Sequence, residues 1–168
     1  MAEKINPMRE IKIEKIVFSV GGTGEELAKG VKLLEMVTER KPKKTCSNKR
    51  IPGFSVRPGL EVGAVVTIRK DKEVILRKML AAVDNTLKER QISTNNFSFG
   101  IHEYIEIPGM EYNRELGIMG FDLTIVFKRT GRRVSLRKQK KGKIPHKQKI
   151  SKEEIIKFME RNFQTEFK

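Results

Sequence analysis

Residues 11–42, IKIEKIVFSVGGTGEELAKGVKLLEMVTERKP, decide the fold. Ile16, Phe18 and Val20 share one face of an extended chain while Lys15, Val17 and Ser19 share the other, the period-two pattern of a half-buried strand. Ile11 and Ile13 have the opposite parity, which predicts a bulge or a separate lead-in segment. The turn GGTG follows, and Leu27, Val31, Leu34 and Val37 then recur at helical spacing within a helix predicted over residues 25–40. Pro42 ends it, because the residue before a proline is pushed out of the helical region.

The pattern repeats further along. Residues 61–69, EVGAVVTIR, alternate with Val62, Ala64, Val66 and Ile68 on one side and Val65, Thr67 and Arg69 on the other. Asp71 can cap a second helix carrying Leu76, Met79, Leu80, Val83 and Leu87, which Asn95 and Asn96 break. Two more strands are predicted: one through Phe99, Ile101, Ile105 and Ile107, alternating with His102, Tyr104 and Glu106, and one through Phe121, Leu123, Ile125 and Phe127. The connection between them, PGMEYNRELGIMG at 108–120, is too long for a tight hairpin and reads as an ordered excursion with a surface task. RRVSLR at 132–137 reads as a short additional strand. Ser151 and Glu154 form a capping box with Ile150 and Ile155 as its hydrophobic staple, opening a last helix through Ile156, Met159 and Phe163.

The expectation is therefore an α+β fold in two layers, an antiparallel or mixed sheet with amphipathic helices on one face and an open polar face. At 168 residues the chain fits a single domain over residues 1–168.

Thirty-six Lys and Arg against 21 Asp and Glu give a net charge of +15, which points to a polyanionic partner, nucleic acid ahead of an anionic membrane surface. Residues 40–57 hold seven basic and no acidic residues, and residues 128–149 hold eleven basic and none acidic, so half of the positive charge lies in two short runs. One such run reads as a solvated loop; two without any acid favour a binding surface. The first contains a basic loop, 45–57, expected to be mobile in the free protein because its Lys, Ser and Gly residues bury little. No run of about 18 apolar residues is present and MAEKINPMRE lacks the apolar stretch of a signal peptide, so a soluble, unsecreted protein with no membrane association is expected. Cys46 is the single cysteine and excludes an intramolecular disulfide.

Catalysis needs a convergent acid, base, nucleophile or metal. The candidates are His102, His146, Cys46 and three Asp residues at 71, 84 and 122, with no visible constellation. SVGGTGEE at 19–26 suggests a phosphate-cradling loop, but the Lys-Ser/Thr of that motif is missing, and Glu25 and Glu26 would repel a phosphate. A metal-dependent nuclease would need carboxylates brought together on a divalent ion. No enzyme activity, cofactor or metal site is expected.

The residues also match a family. NPMRE at 6–10, GE at 24–25, KP at 41–42, GFSVRPG at 53–59, VTIR at 66–69, FGIHEYIEIPG at 99–109, GIMGFDLTIV at 117–126 and HKQKISKEE at 146–154 occur in its order. The chain resembles the universal large-subunit ribosomal protein that binds 5S ribosomal RNA, called protein five in bacteria and archaea and protein eleven in eukaryotes. Its opening and its last helix start resemble the archaeal and eukaryotic branch. Its short glycine-rich turn and short C-terminus are consistent with a trimmed eukaryotic lineage.

The resemblance implies partners: 5S rRNA and adjacent large-subunit rRNA in the central protuberance, the elbow of the P-site tRNA, a neighbouring 5S-binding protein and, across the interface, a small-subunit head protein. It implies a cytoplasmic location on the ribosome, with a nucleolar or nuclear stage during assembly if the host is eukaryotic. RNA-facing positions fall on Ser19, Thr67 and Arg40, of which parity independently puts Ser19 and Thr67 on the helix-free face. Asn6, Met8, Arg9, Lys15 and Arg69 join them, with Arg132, Arg133, Arg137, Lys138, Lys140, Lys141, Lys143, His146 and Lys147 from the second basic run. Ser47, Asn48, Lys49, Arg50, Phe54 and Arg57 form the tRNA-side loop. The family usually has Asn at Ser19, Gln at Arg40 and Gly at Lys70, and a Lys-Ala-Arg triplet where Cys46, Ser47 and Asn48 stand, so contacts there must differ; Arg40 can supply a phosphate contact instead of amide recognition.

If the basic runs neutralise about six to ten phosphates, RNA affinity should fall roughly 10³- to 10⁵-fold between about 50 and 200 mM salt. A flat response in a filter-binding titration would contradict this.

Overall fold

The computed structural model describes residues 6–168. Ile16, Phe18 and Val20 are buried and Lys15, Val17 and Ser19 are half-exposed along strand β1, Ile11–Gly21. The parity break also appears: the pairing of β1 with β7, Phe121–Arg129, shifts register between Ile13 and Lys15. That bulge lets Ile13, opposite Phe127, and Ile16, opposite Ile125, both face the core.

Helix α1, Glu25–Thr38, packs on β1 and on β3, Glu61–Ile68. It stops two residues before the predicted end, at Glu39 in the left-handed region. Strand β2, Lys43–Cys46, then pairs antiparallel with β3, a strand that the sequence pattern does not indicate. Helix α2, Lys72–Ala81, follows β3. With β5, Ile92–Ser93, and β6, Asn96–Ile101, the six-stranded sheet has the order β2-β3-β1-β7-β6-β5, and every pairing in it is antiparallel. Helix α4, Lys152–Phe163, lies on the same side as α1 and α2, its Phe158 meeting Phe127 edge-on. Its capping box is formed as predicted, and Ile150 and Ile155 are both fully buried. A two-stranded parallel ladder joins β4, Thr86–Leu87, to β8, Glu166–Phe167. The architecture is α+β, with one core between the sheet and its helices.

Four local expectations are corrected. Asp71 does not cap α2 through its side chain; it sits in the left-handed region and only its carbonyl accepts from Ile75 N–H. That helix ends at Ala81, where Asn85 N–H returns to the Leu80 carbonyl and the chain turns through Asp84 and Asn85 at positive φ. Leu87 is buried, but from β4, because an apolar residue at helical spacing cannot by itself report which element carries it. The strand predicted through Ile107 stops at Ile101: a single turn at Tyr104–Glu106 reverses the parity, burying Tyr104, whose hydroxyl accepts from Asn113 N–H at 2.8 Å. RRVSLR forms a short helix, α3 at Arg133–Leu136, since Gly131 at φ 93 turns the chain away from any neighbouring strand.

The excursion 108–120 is anchored where Gly120 passes the carbonyls of Ile101 and His102; a Cβ there would lie 2.6 Å from the His102 oxygen. Gly120→Ala should cost about 2–4 kcal/mol of stability by forcing backbone apart, read as a lowered urea midpoint. Gly100→Ala, whose Cβ would meet only the Asp122 carboxylate at 3.2 Å, should move the midpoint little.

Candidate nucleic-acid interface

Side chains that alternate away from the core make the helix-free face of the sheet. Register aligns Ser98, Thr124, Val17 and Thr67 in one row across four strands, and Gly100, Asp122, Ser19, Val65 and Lys43 in the next. These residues are small or β-branched apart from Lys43 and Asp122, so the centre of the face is flat. The Ser98 and Thr124 hydroxyls are 2.9 Å apart and hydrogen-bond to each other. Ser19 and Thr67 therefore share this face, as parity required, on diagonally adjacent sites. Lys15, paired with Val126, points the same way, and Arg69 lies just beyond the end of β3 near it. Arg40 is exposed in the connection from α1 to β2, at the sheet's edge.

The strand directions place the basic segments at opposite ends. Ile11 pairs with Arg129, so the second run leaves the sheet where β1 begins. Asn6, Met8 and Arg9 form an exposed turn at the same end, with Asn6 Oδ1 accepting from Met8 N–H at 3.0 Å and Thr130 Oγ1 donating to the Pro7 carbonyl at 3.0 Å. The 45–57 loop lies at the other end, where Gly21 meets Gly63.

That loop contains more backbone hydrogen bonding than its composition suggests. Ser47 N–H donates to Leu60 O and Gly59 N–H to Ser47 O, while Ile51 and Val56 bridge across the turn at Pro52–Phe54. Val56 is buried beneath it, whereas Phe54 is 79% exposed and Asn48, Lys49, Arg50 and Arg57 are exposed around it. An exposed aromatic ring among cations offers stacking together with phosphate contact.

In the second run Arg133, Arg137, Lys138, Lys140, Lys141, Lys143, His146 and Lys147 are exposed. The absence of acids within this run does not reveal that acids from elsewhere reach it. Arg132 pairs with Glu14, which the bulge in β1 frees from the alternation. Arg129, its side chain 9% exposed, donates to Glu154 Oε1 at 2.6 Å and to the Lys147 carbonyl at 3.0 Å. Glu154 also accepts from Ser151 N–H, so the carboxylate that caps α4 ties that helix to β7. Sequence reasoning placed Arg132 among the free cations and missed these pairings, which depend on residues more than a hundred positions apart or on a strand–helix contact. Asp122 on the open face was likewise invisible as a neighbour of Ser19. Among the described residues no group of three His, Cys, Asp or Glu side chains comes together as a metal site, and no helix is long and apolar enough to cross a membrane.

These features define a class: an α+β protein with a helix-backed sheet whose free face is flat and polar and whose ends carry basic segments. The family model described as Ribosomal protein L5 matches residues 6–57, and the model of the C-terminus of that ribosomal protein family matches residues 61–161. Large ribosomal subunit protein uL5 of Nanoarchaeum equitans is 41% identical over 157 residues, covering 91% of this chain and 93% of the relative. Its counterparts in Picrophilus torridus and Sulfurisphaera tokodaii are 41% identical over 163 and 166 residues, covering 94% and 96% of this chain and 93% and 94% of the relatives. The chain belongs to the ribosomal protein L5 family of large-subunit ribosomal proteins, which are structural and not enzymes.

Glu154→Gln leaves the cap largely intact but removes the charge opposite the enclosed Arg129. It should cost about 1–3 kcal/mol, seen as a lower urea midpoint at unchanged slope. An unchanged midpoint would mean that the pair contributes nothing to holding α4 on β7.

Proposed function

We propose that the chain is a structural constituent of the large ribosomal subunit, located with cytoplasmic ribosomes. In this reading it binds 5S rRNA with its open sheet face and neighbouring large-subunit rRNA with residues 128–149 in the central protuberance. The flat polar row Ser98, Thr124, Val17 and Thr67 is the observation that carries the reading: it presents hydroxyls without bulky side chains, so a rigid RNA helix can approach closely. Asp122 beside Ser19 would repel phosphate, so the partner group there is a donor, a ribose 2′-hydroxyl or a base amine. Phosphate contacts then fall to Arg40, Lys15 and Arg69 at the margins of the face. Asn6, Met8 and Arg9, on the same end as the second basic run, extend the rRNA contact.

The 45–57 loop is assigned to the P-site tRNA elbow through Ser47, Asn48, Lys49, Arg50, Phe54 and Arg57, its tip mobile until the RNA neutralises it. A neighbouring 5S-binding protein and a small-subunit head protein complete the set of partners, the latter through an intersubunit bridge. A nuclear stage belongs to a eukaryotic host only, and the relatives described above are archaeal.

Thr67→Ala and Arg40→Ala should each weaken 5S rRNA binding by roughly 1–3 kcal/mol. A filter-binding titration in which both variants keep wild-type affinity would reject the open face as the 5S site.

A further inference from the structure

Two clefts adjoin at the end of β7. The first, of about 180 Å³, lies between β7, α3 and the chain at Gln148–Lys149, and is lined by Lys128, Arg129, Arg132 and Lys149. The second, of about 400 Å³, runs past His146 and Lys149 to Ser151. Asn95 and Lys149 line both, which makes them two parts of one groove, and neither lining contains an acidic residue.

The groove has a fixed floor. Asn95, held at positive φ, accepts from Ile150 N–H through its side chain at 2.8 Å and from Phe127 N–H through its carbonyl at 2.8 Å, while its own N–H donates to Ile150 O at 3.2 Å. These bonds clamp the β5–β6 turn against the segment entering α4, so the backbone that carries Lys149 is in place before a ligand arrives. The wall of the first cleft is fixed as well: the Arg129 guanidinium is engaged with Glu154 and the Lys147 carbonyl, and Arg132 with Glu14.

We propose that this groove is a preformed seat for an RNA backbone segment, taking two successive phosphodiesters, one in each cleft, with Lys149 at their junction. Lys128 holds the first and His146 the second, while Arg129 and Arg132, paired with Glu154 and Glu14, are fixed parts of the first cleft's wall. Amides and a hydroxyl between the cations, from Asn95, Gln148 and Ser135, suit ribose hydroxyls that alternate with phosphates. Lys128 and Lys149 are thereby binding residues, although nothing in the sequence pattern singled them out from their basic neighbours. The proposal rests on rRNA binding by residues 128–149 and sharpens it from a diffuse field of charge to a defined seat.

The full-length protein is titrated at low salt with a short single-stranded RNA, comparing wild type, Lys149→Gln and Lys141→Gln, with thermal melts confirming that each is folded. Lys141 is exposed and lines neither cleft, so both variants lose one charge but only one loses the seat. Lys149→Gln should weaken binding roughly tenfold, and Lys141→Gln by no more than about two- to threefold. Neutral methylphosphonates at two successive linkages should weaken the wild type and leave Lys149→Gln little further changed. Equal losses in the two lysine variants overturn the groove while leaving rRNA binding by the basic run intact. A wild type that fails to bind RNA overturns both readings, and preference for an acidic peptide over the RNA overturns the groove's assignment to a nucleic-acid backbone.

Discussion

Strand β1 is hydrogen-bonded along both edges, to β3 on one side and β7 on the other, and the remaining structure is placed by that double pairing. A strand fixed on both edges cannot slip by one residue, because a slip would move Ile16, Phe18 and Val20 into water and Val17 and Ser19 into the core. The bulge at Glu14 is the one place where this constraint is relaxed. It keeps Ile13 and Ile16 on the same side although their spacing is odd, and it turns Glu14 out of the alternation to meet Arg132.

Locking β1 separates the two faces of the sheet. Helices α1, α2 and α4 cover one face because their apolar stripes have nowhere else to be buried, so the opposite face retains whatever the alternate positions supply. Those positions are mostly hydroxyls and β-branched side chains, which makes the face flat. The family models divide the chain between residues 57 and 61, yet β2 from the first part pairs with β3 from the second. The two parts are joined in a single sheet.

Electrostatics works at the ends of this sheet. A net charge of +15 opposes folding unless some of it is neutralised or dispersed. The fold does both: the 45–57 loop and the 128–149 segment leave from opposite ends, and Glu14 and Glu154 reach into the second from other elements. The two arginines nearest the sheet become internal ties, and the distal lysines and arginines remain available for a ligand.

The sequence by itself determined the α+β class, the faces of β1, β3 and β7, the bulge, the start of α4 and the presence of Ser19 and Thr67 on the free face, because each is written in spacing along a short stretch of chain. The order of motifs also determined the family. Only the tertiary structure decided that β2 extends the sheet, that Leu87 is buried from a strand, that Tyr104 faces inward and that residues 133–136 are helical. These depend on which neighbour supplies a hydrogen-bond partner or a cavity, and no local periodicity encodes a neighbour. The same reason explains the interface. The basic runs were legible as charge, but the pairing of Arg129 and Arg132 and the convergence of Lys128, His146 and Lys149 on one groove arise from strands and helices meeting far apart in sequence.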